Sequence, residues 1–216
     1  MKIKICGLKR VEEIRCLNRL RPDFCGFVFA PESRRYLEKP QALELKKILS
    51  PAIPAVGVFV NAKPEAAAAY VREGIIDAIQ LHGQEDEAYL SCLRRFTDAP
   101  VIQAFSVNTE ADLRLAEKSS ADLVLLDSGA GGTGKRFDWN LLENFSRPFL
   151  LAGGLNAGKC PGGHEDLLAL GAGHQQRRGN QWGQGPFENR NMHQEDQKCL
   201  KEDLERSEAN IFRKLS

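Results

Sequence analysis

Residues 55–81 decide the fold: Ala55-Val-Gly-Val-Phe-Val60, then Glu65-Ala-Ala-Ala-Ala-Tyr-Val-Arg72 behind Pro64, then Ala78-Ile-Gln-Leu81. The outer two pieces are short, β-branched and apolar on both faces, as strands of a parallel sheet covered on both sides should be. The piece between them is helical in pattern. Pro64 at its opening forfeits only an N–H that the first helical turn leaves unbonded anyway. Strand, helix and strand in immediate succession make one βαβ unit.

The same alternation extends in both directions. Lys2–Cys6, Phe24–Ala30, Val101–Val107, Leu123–Leu126 and Phe149–Ala152 read as further strands. Val11–Leu20, Gln41–Leu49, Asp86–Phe96, Glu110–Lys118 and Trp139–Phe145 read as amphipathic helices between them. Thr109 is placed to cap the helix that starts at Glu110, with Asp112 as the reciprocal partner. Seven strands alternating with six helices give an α/β fold. An open doubly wound sheet could hold seven strands. A closed (β/α)8 barrel needs one more strand and two more helices, which would have to follow residue 154.

Thirty basic residues against 29 acidic leave a net charge of +1. That offers no field for nucleic acid or an anionic membrane surface. No apolar run approaches the roughly 20 residues of a membrane span, and the opening residues lack the apolar stretch of a signal peptide. The six cysteines (6, 16, 25, 92, 160 and 199) form no C-x-x-C pair, which suits reduced thiols in the cytoplasm.

In βα barrels the active site is built at the C-terminal ends of the strands. Those ends carry Cys6-Gly7, Pro31-Glu-Ser-Arg-Arg-Tyr36, Asn61, Gln80-Leu-His-Gly83, Phe105-Ser106, Asp127-Ser128 and Gly153-Gly-Leu155. A thiol, a carboxylate, an imidazole and paired arginines on one face suit proton transfer on an anionic substrate. Each has an ordinary structural alternative: packing for Cys6, capping for Asp127, a structural hydrogen bond for His82, solvated loop charge for Arg34 and Arg35. Their joint placement carries the reading. The glycine-bearing loops at Gly129–Lys135 and Gly153-Gly154 suit close backbone approach to phosphate. The first is not an NTPase loop, because Arg136 stands where Ser or Thr is required.

Taken together, these segments resemble the phosphoribosylanthranilate isomerase family. The resemblance is carried by Lys4-Ile-Cys-Gly-Leu8, Gly26-Phe-Val-Phe-Ala-Pro-Glu-Ser-Arg-Arg-Tyr36, Val56-Gly-Val-Phe-Val-Asn61 and Ile79-Gln-Leu-His-Gly83. It continues through Leu125-Leu-Asp-Ser128, Gly131-Gly-Thr-Gly-Lys-Arg-Phe-Asp-Trp139 and Leu151-Ala-Gly-Gly-Leu-Asn156. It implies an incomplete (β/α)8 TIM barrel over residues 1–158 and an Amadori rearrangement of N-(5-phosphoribosyl)anthranilate in tryptophan biosynthesis, with neither metal nor organic cofactor. By the same resemblance Cys6 is the general base and Asp127 the general acid. A free thiol titrates near 8.5, so the thiolate needs help from nearby cations. Arg35 would hold the anthranilate end, Gln80 and His82 would line the pocket, Gly132 and Gly134 would bind substrate, and Gly153 and Gly154 would form one half of the phosphate site. The implied partner is a small phosphorylated substrate, with no nucleic acid and no membrane. Monomer and homodimer both stay open.

After Asn156 the resemblance stops. Where the family continues with a helix and an eighth strand ending in a D-I-S-S-G-V-E-type motif, this chain is written differently. Residues 160–216 contain no valine, one isoleucine, six leucines and two phenylalanines among 57 residues, below the apolar level of about 20% that supports a core. Residues 159–216 are therefore expected to be an aberrant, largely irregular tail with no strand-length apolar run, the last helix-strand-helix unit being missing or replaced by it. Back-translated and read one nucleotide later, Gly173–Gly185 permits Asp-Ile-Ser-Ser-Gly-Val-Glu-Thr-Asn-Gly-Val-Lys-Asp, which points to a reading-frame shift near Lys159. His164, His174, His193 and Cys199 have no metal-ligand spacing. A seven-stranded sheet would leave two open edges, so the chain as written is expected to be poorly stable and weakly active or inactive. Two other readings stay open: another phosphate-binding barrel enzyme, such as an epimerase or indole-glycerol-phosphate synthase, and a non-catalytic aberrant product.

Overall fold

The computed structural model describes residues 3–127, 145–152 and 167–171. Strands β1 (Ile3–Cys6), β2 (Phe24–Val28), β3 (Ala55–Phe59), β4 (Ala78–Leu81), β5 (Val101–Ser106), β6 (Leu123–Asp127) and β7 (Phe149–Ala152) pair in chain order, each parallel to the next. Helices α1 (Val11–Leu20), α2 (Lys39–Ile48), α3 (Pro64–Arg72), α4 (Glu87–Leu93) and α5 (Glu110–Lys118) connect the first six strands. All seven expected strands are present within a residue or two of their expected ends. The expected sixth helix, Trp139–Phe145, falls largely outside the described residues.

Local chemistry sets the helix ends. Thr109 and Asp112 form the reciprocal box at the start of α5. Asp86 lies outside α4 as its cap, its carboxylate accepting the Tyr89 N–H at 2.8 Å, and the helix ends at Leu93, short of the expected Phe96. Among the described residues no helix is long and apolar enough to cross a membrane.

Because successive strand side chains point to opposite faces, the apolar strands divide into two layers. The outward layer includes Cys25, Phe27, Ala55, Phe59, Ile79, Leu81 and Val101. It packs against Ile14 and Leu17 of α1, Ala42 and Leu45 of α2, Ala67 and Ala68 of α3, and Leu90 and Leu93 of α4. The inward layer, with Phe24, Val56, Ala78, Ile102, Leu123, Leu125 and Leu150, fills the barrel axis. Burying both layers is the main source of stability.

The tail departs from expectation at one point. Leu167–Gly171 is an eighth strand, β8, lying between β7 and β1, and the sheet closes through it. It runs antiparallel to both neighbours, with Ile5 opposite Leu167, Ile3 opposite Ala169 and Phe149 opposite Gly171. The physical reason is the pair of edges. Unpaired N–H and C=O groups on β7 and β1 will accept any extended segment, and Leu167-Leu-Ala-Leu170 is a local apolar run that the polar composition of the whole tail conceals. The expectations of a tail without a strand and of two open edges are thus corrected. Among the described residues, the place between β7 and β1 is taken by one short strand antiparallel to both.

Candidate active site

The inward alternation of β1, β4 and β6 brings the polar residues together. Lys4 and Cys6 are two apart on β1, Gln80 and His82 are two apart at the end of β4, and Asp127 ends β6. These residues, with Arg35 from the segment after β2, line a cavity of about 200 Å3 at the C-terminal ends of the strands. Val28, Val58 and Leu125 supply its apolar wall.

Cys6 is buried against Val28, Ala30 and Val58. Its Sγ accepts a hydrogen bond from the Lys4 Nζ at 3.7 Å. Lys4 is fully buried and its Nζ also donates to Gln80 Oε1. The amide nitrogen of Gln80 lies 3.0 Å from His82 Nδ1, and His82 Nε2 lies 3.5 Å from Asp127 Oδ2. The other carboxylate oxygen, Asp127 Oδ1, is buried and has no hydrogen-bond partner among the described residues. A single string of side chains therefore leads from the thiol to the carboxylate across three strands.

The loops that present this string are fixed from behind. The buried Glu85 carboxylate accepts the N–H of Asn61 at 2.6 Å and of Gly83 at 2.7 Å, tying the segments after β3 and β4 to one anchor. Gly83 is needed there, since a Cβ would come within 2.5 Å of Asn61 Oδ1. Gly7 is required for two reasons: its φ is +83°, and a Cβ would stand 2.3 Å from Arg35 Cδ. The Arg35 stem thus lies across the turn that follows β1.

Of the sequence-predicted site residues, Cys6, Arg35, Gln80, His82 and Asp127 line one cavity. Gly132, Gly134, Gly153 and Gly154 lie outside the described residues. Lys4, which also lines the cavity, is not among the site residues expected from the sequence. The signal available was its spacing: two residues before Cys6 on a strand, it must share the thiol's face. Among the described residues no group of three or more His, Cys, Asp or Glu side chains is placed to hold a metal ion.

A βα barrel with an ionisable cavity at the C-terminal ends of its strands is the architecture of an enzyme active site. The model of the N-(5'-phosphoribosyl)anthranilate isomerase family matches residues 3–164, and the chain belongs to that family, whose members are isomerases of tryptophan biosynthesis. The isomerase of Endomicrobium trichonymphae is 42% identical over 159 residues, covering 72% of this chain and 78% of that protein. The solved phosphoribosyl anthranilate isomerase of Thermus thermophilus matches with a TM-score of 0.65 and 31% identity over 73% of this chain and 78% of its own. A phosphoribosyl anthranilate isomerase solved in complex with reduced 1-(o-carboxyphenylamino)-1-deoxyribulose 5-phosphate matches with a TM-score of 0.62 and 32% identity, covering 71% and 76%. The family match ends close to where the tail begins.

Proposed function

We propose that this cavity catalyses the Amadori rearrangement of N-(5-phosphoribosyl)anthranilate, with Asp127 as general acid and Cys6 as general base. The carboxyl proton of Asp127 passes to the ribose ring oxygen as the C1–O bond breaks, leaving an iminium. The Cys6 thiolate takes the C2 proton, the C–H electrons form the C1=C2 bond, and the nitrogen becomes neutral. The enolamine then tautomerises to the ketone. One proton returns from the thiol to the carboxylate by way of solvent, so the cycle is balanced. Arg35 receives the anthranilate carboxylate, Gln80 and His82 line the ring-opening site, Gly132 and Gly134 bind substrate, and Gly153 and Gly154 serve the phosphate.

One observation carries the reading: a thiol beside a buried ammonium and a carboxylate with an unpartnered oxygen face the same small cavity. The product-like ligand named for the similar isomerase fits the substrate class. A cytoplasmic setting belongs to the same reading, supported by the four free cysteines among the described residues.

The test follows the loss of substrate fluorescence, on the chain as written and on a version with the frame restored after residue 159. In whichever form is active, Cys6→Ala abolishes turnover and Asp127→Asn lowers it by about 10²- to 10⁴-fold, the usual worth of a positioned acid or base. Full activity in Cys6→Ala would remove the thiol from the mechanism.

A further inference from the structure

We propose that Lys4 is a positioning residue for this reaction: its ammonium is the counter-charge of the Cys6 thiolate and the first donor of a one-directional hydrogen-bond chain through Gln80 to His82, whose other ring nitrogen faces Asp127. The inference rests on the roles given above for Cys6 and Asp127 and adds to them a residue that they do not include.

The first half follows from burial. Lysine is almost never fully buried unless it is paired, and an isolated buried ammonium is strongly disfavoured. Lys4 is fully buried, yet among the described residues no carboxylate lies within ion-pair distance of its Nζ. Its neighbours are a neutral amide oxygen and the Cys6 sulfur at 3.7 Å. The anion that completes this pocket is the thiolate, the form of Cys6 that proton abstraction needs.

The second half follows from donor and acceptor inventories. An ammonium has hydrogens to give and nothing to accept with, so Gln80 must turn its carbonyl oxygen toward Lys4. Its NH2 is then the group 3.0 Å from His82 Nδ1, and that ring nitrogen must accept. The neutral imidazole consequently carries its hydrogen on Nε2, the nitrogen facing Asp127 Oδ2 at 3.5 Å. Oδ2 thus faces that N–H at ion-pair distance, and the unpartnered Oδ1 is the oxygen left to deliver a proton to substrate. The arrangement matches the charge movement of the reaction. Negative charge begins on Cys6 beside the ammonium and ends on Asp127 beside the imidazole N–H.

The experiment uses the chain itself and needs no turnover. Iodoacetamide attacks thiolates, and peptide mapping separates Cys6 from the other cysteines. At neutral pH, Lys4→Met slows alkylation of Cys6 by about tenfold or more, the scale expected when an adjacent opposite charge is removed from an ionising group. Cys16 and Cys92, both partly exposed, serve as controls and keep their rates. An unchanged Cys6 rate overturns the counter-charge even if the chain proves to be a good isomerase. An inactive chain whose Cys6 slows as stated supports it independently of the isomerase reading. Because Lys4→Met could fail to fold, the unaltered protein supplies a second measurement. Nitrogen NMR of the His82 ring is expected to show hydrogen on Nε2 and none on Nδ1, and the reverse tautomer overturns the chain. In the active form, Lys4→Met lowers kcat while KM stays within about twofold, and an unchanged kcat counts against the proposal.

Discussion

Gly26 and Cys6 are register partners on adjacent parallel strands, and a Cβ at position 26 would stand 2.4 Å from the Cys6 Sγ and 3.0 Å from its Cα. The thiol occupies the space that a side chain on β2 would fill. Gly26→Ala therefore displaces the thiol without touching the substrate pocket's charges. Misplacing a reacting group by about 1 Å costs on the order of 10²-fold in rate, so we expect that loss in kcat with circular dichroism unchanged. A loss confined to KM would show that the contact has another purpose.

Arg35 depends on a glycine in the same way. At Gly7 the backbone φ of +83° and the Arg35 stem leave no room for a side chain. Gly7→Ala strains the turn and moves the guanidinium. If Arg35 grips the substrate carboxylate, KM rises by about tenfold or more, one charge-assisted hydrogen bond being worth roughly 1.5–3 kcal/mol. Retention of KM with loss of kcat would shift the effect from Arg35 to Cys6.

Arg147 predicts a stability effect far from the cavity. Its guanidinium donates to the carbonyls of Ala116 at 3.1 Å, Ser119 at 2.7 Å and Ala121 at 2.7 Å, closing the C-terminal end of α5 against the segment leading into β7. Burial pulls its pKa down, while the carboxylates of Asp122, Glu87 and Glu117 oppose that shift. Arg147→Met leaves those carbonyls without their cation and costs about 2–3 kcal/mol. For a chain of this size that lowers Tm by roughly 5–10 °C, measurable by thermal scanning.

Asp112 gives stability a definite pH dependence. Its carboxylate accepts the backbone N–H of Asn108 at 2.9 Å and of Thr109 at 2.8 Å. The Asn108 bond contributes most to holding its pKa below the ordinary 3.8, and the Thr109 bonds assist. A depressed folded value means that the contribution is present above 3.8 and is lost as pH falls through the lower folded value. Asp112→Ala should cost about 1 kcal/mol at pH 7, as caps generally do. Denaturant titrations should show that difference shrinking to nothing in strong acid. A difference that grows with acidity would reverse the sign and defeat the argument.

Restoring the reading frame after residue 159 is expected to raise turnover by at least 10²-fold, because binding energy from a remote phosphate is what positions the reacting centre. Equal activity in the two forms would mean that the tail as written supplies that grip.

Much of this was legible beforehand because parallel barrel strands are covered on both faces. Ala55–Phe59 and Ala78–Leu81 could be read from apolar runs alone. Cys6 and Asp127 could be placed because strand ends are where such barrels keep their chemistry. Lys4 was not legible by type, since lysine in a strand ordinarily signals solvent. Only its period-two relation to Cys6 put it inside. The tautomer of His82 depends on a contact 76 residues apart in the chain, between Lys4 and Gln80, which no local pattern encodes. The direction of β8 was equally hidden, because Leu167-Leu-Ala-Leu170 has the same backbone donors and acceptors whichever way it runs.

That indifference has a consequence for how damage to such a chain would be noticed. Leu167 sits opposite Ile5 near the mouth of the barrel and Gly171 opposite Phe149 at its foot, so the chain leaves β8 at the end away from Cys6 and Asp127. Shape and delivery come apart here. A borrowed strand can seal the cylinder while its own C-terminal end points away from the mouth. A measurement of strand content would pass such a sheet as intact, and a probe of the mouth would find the fault.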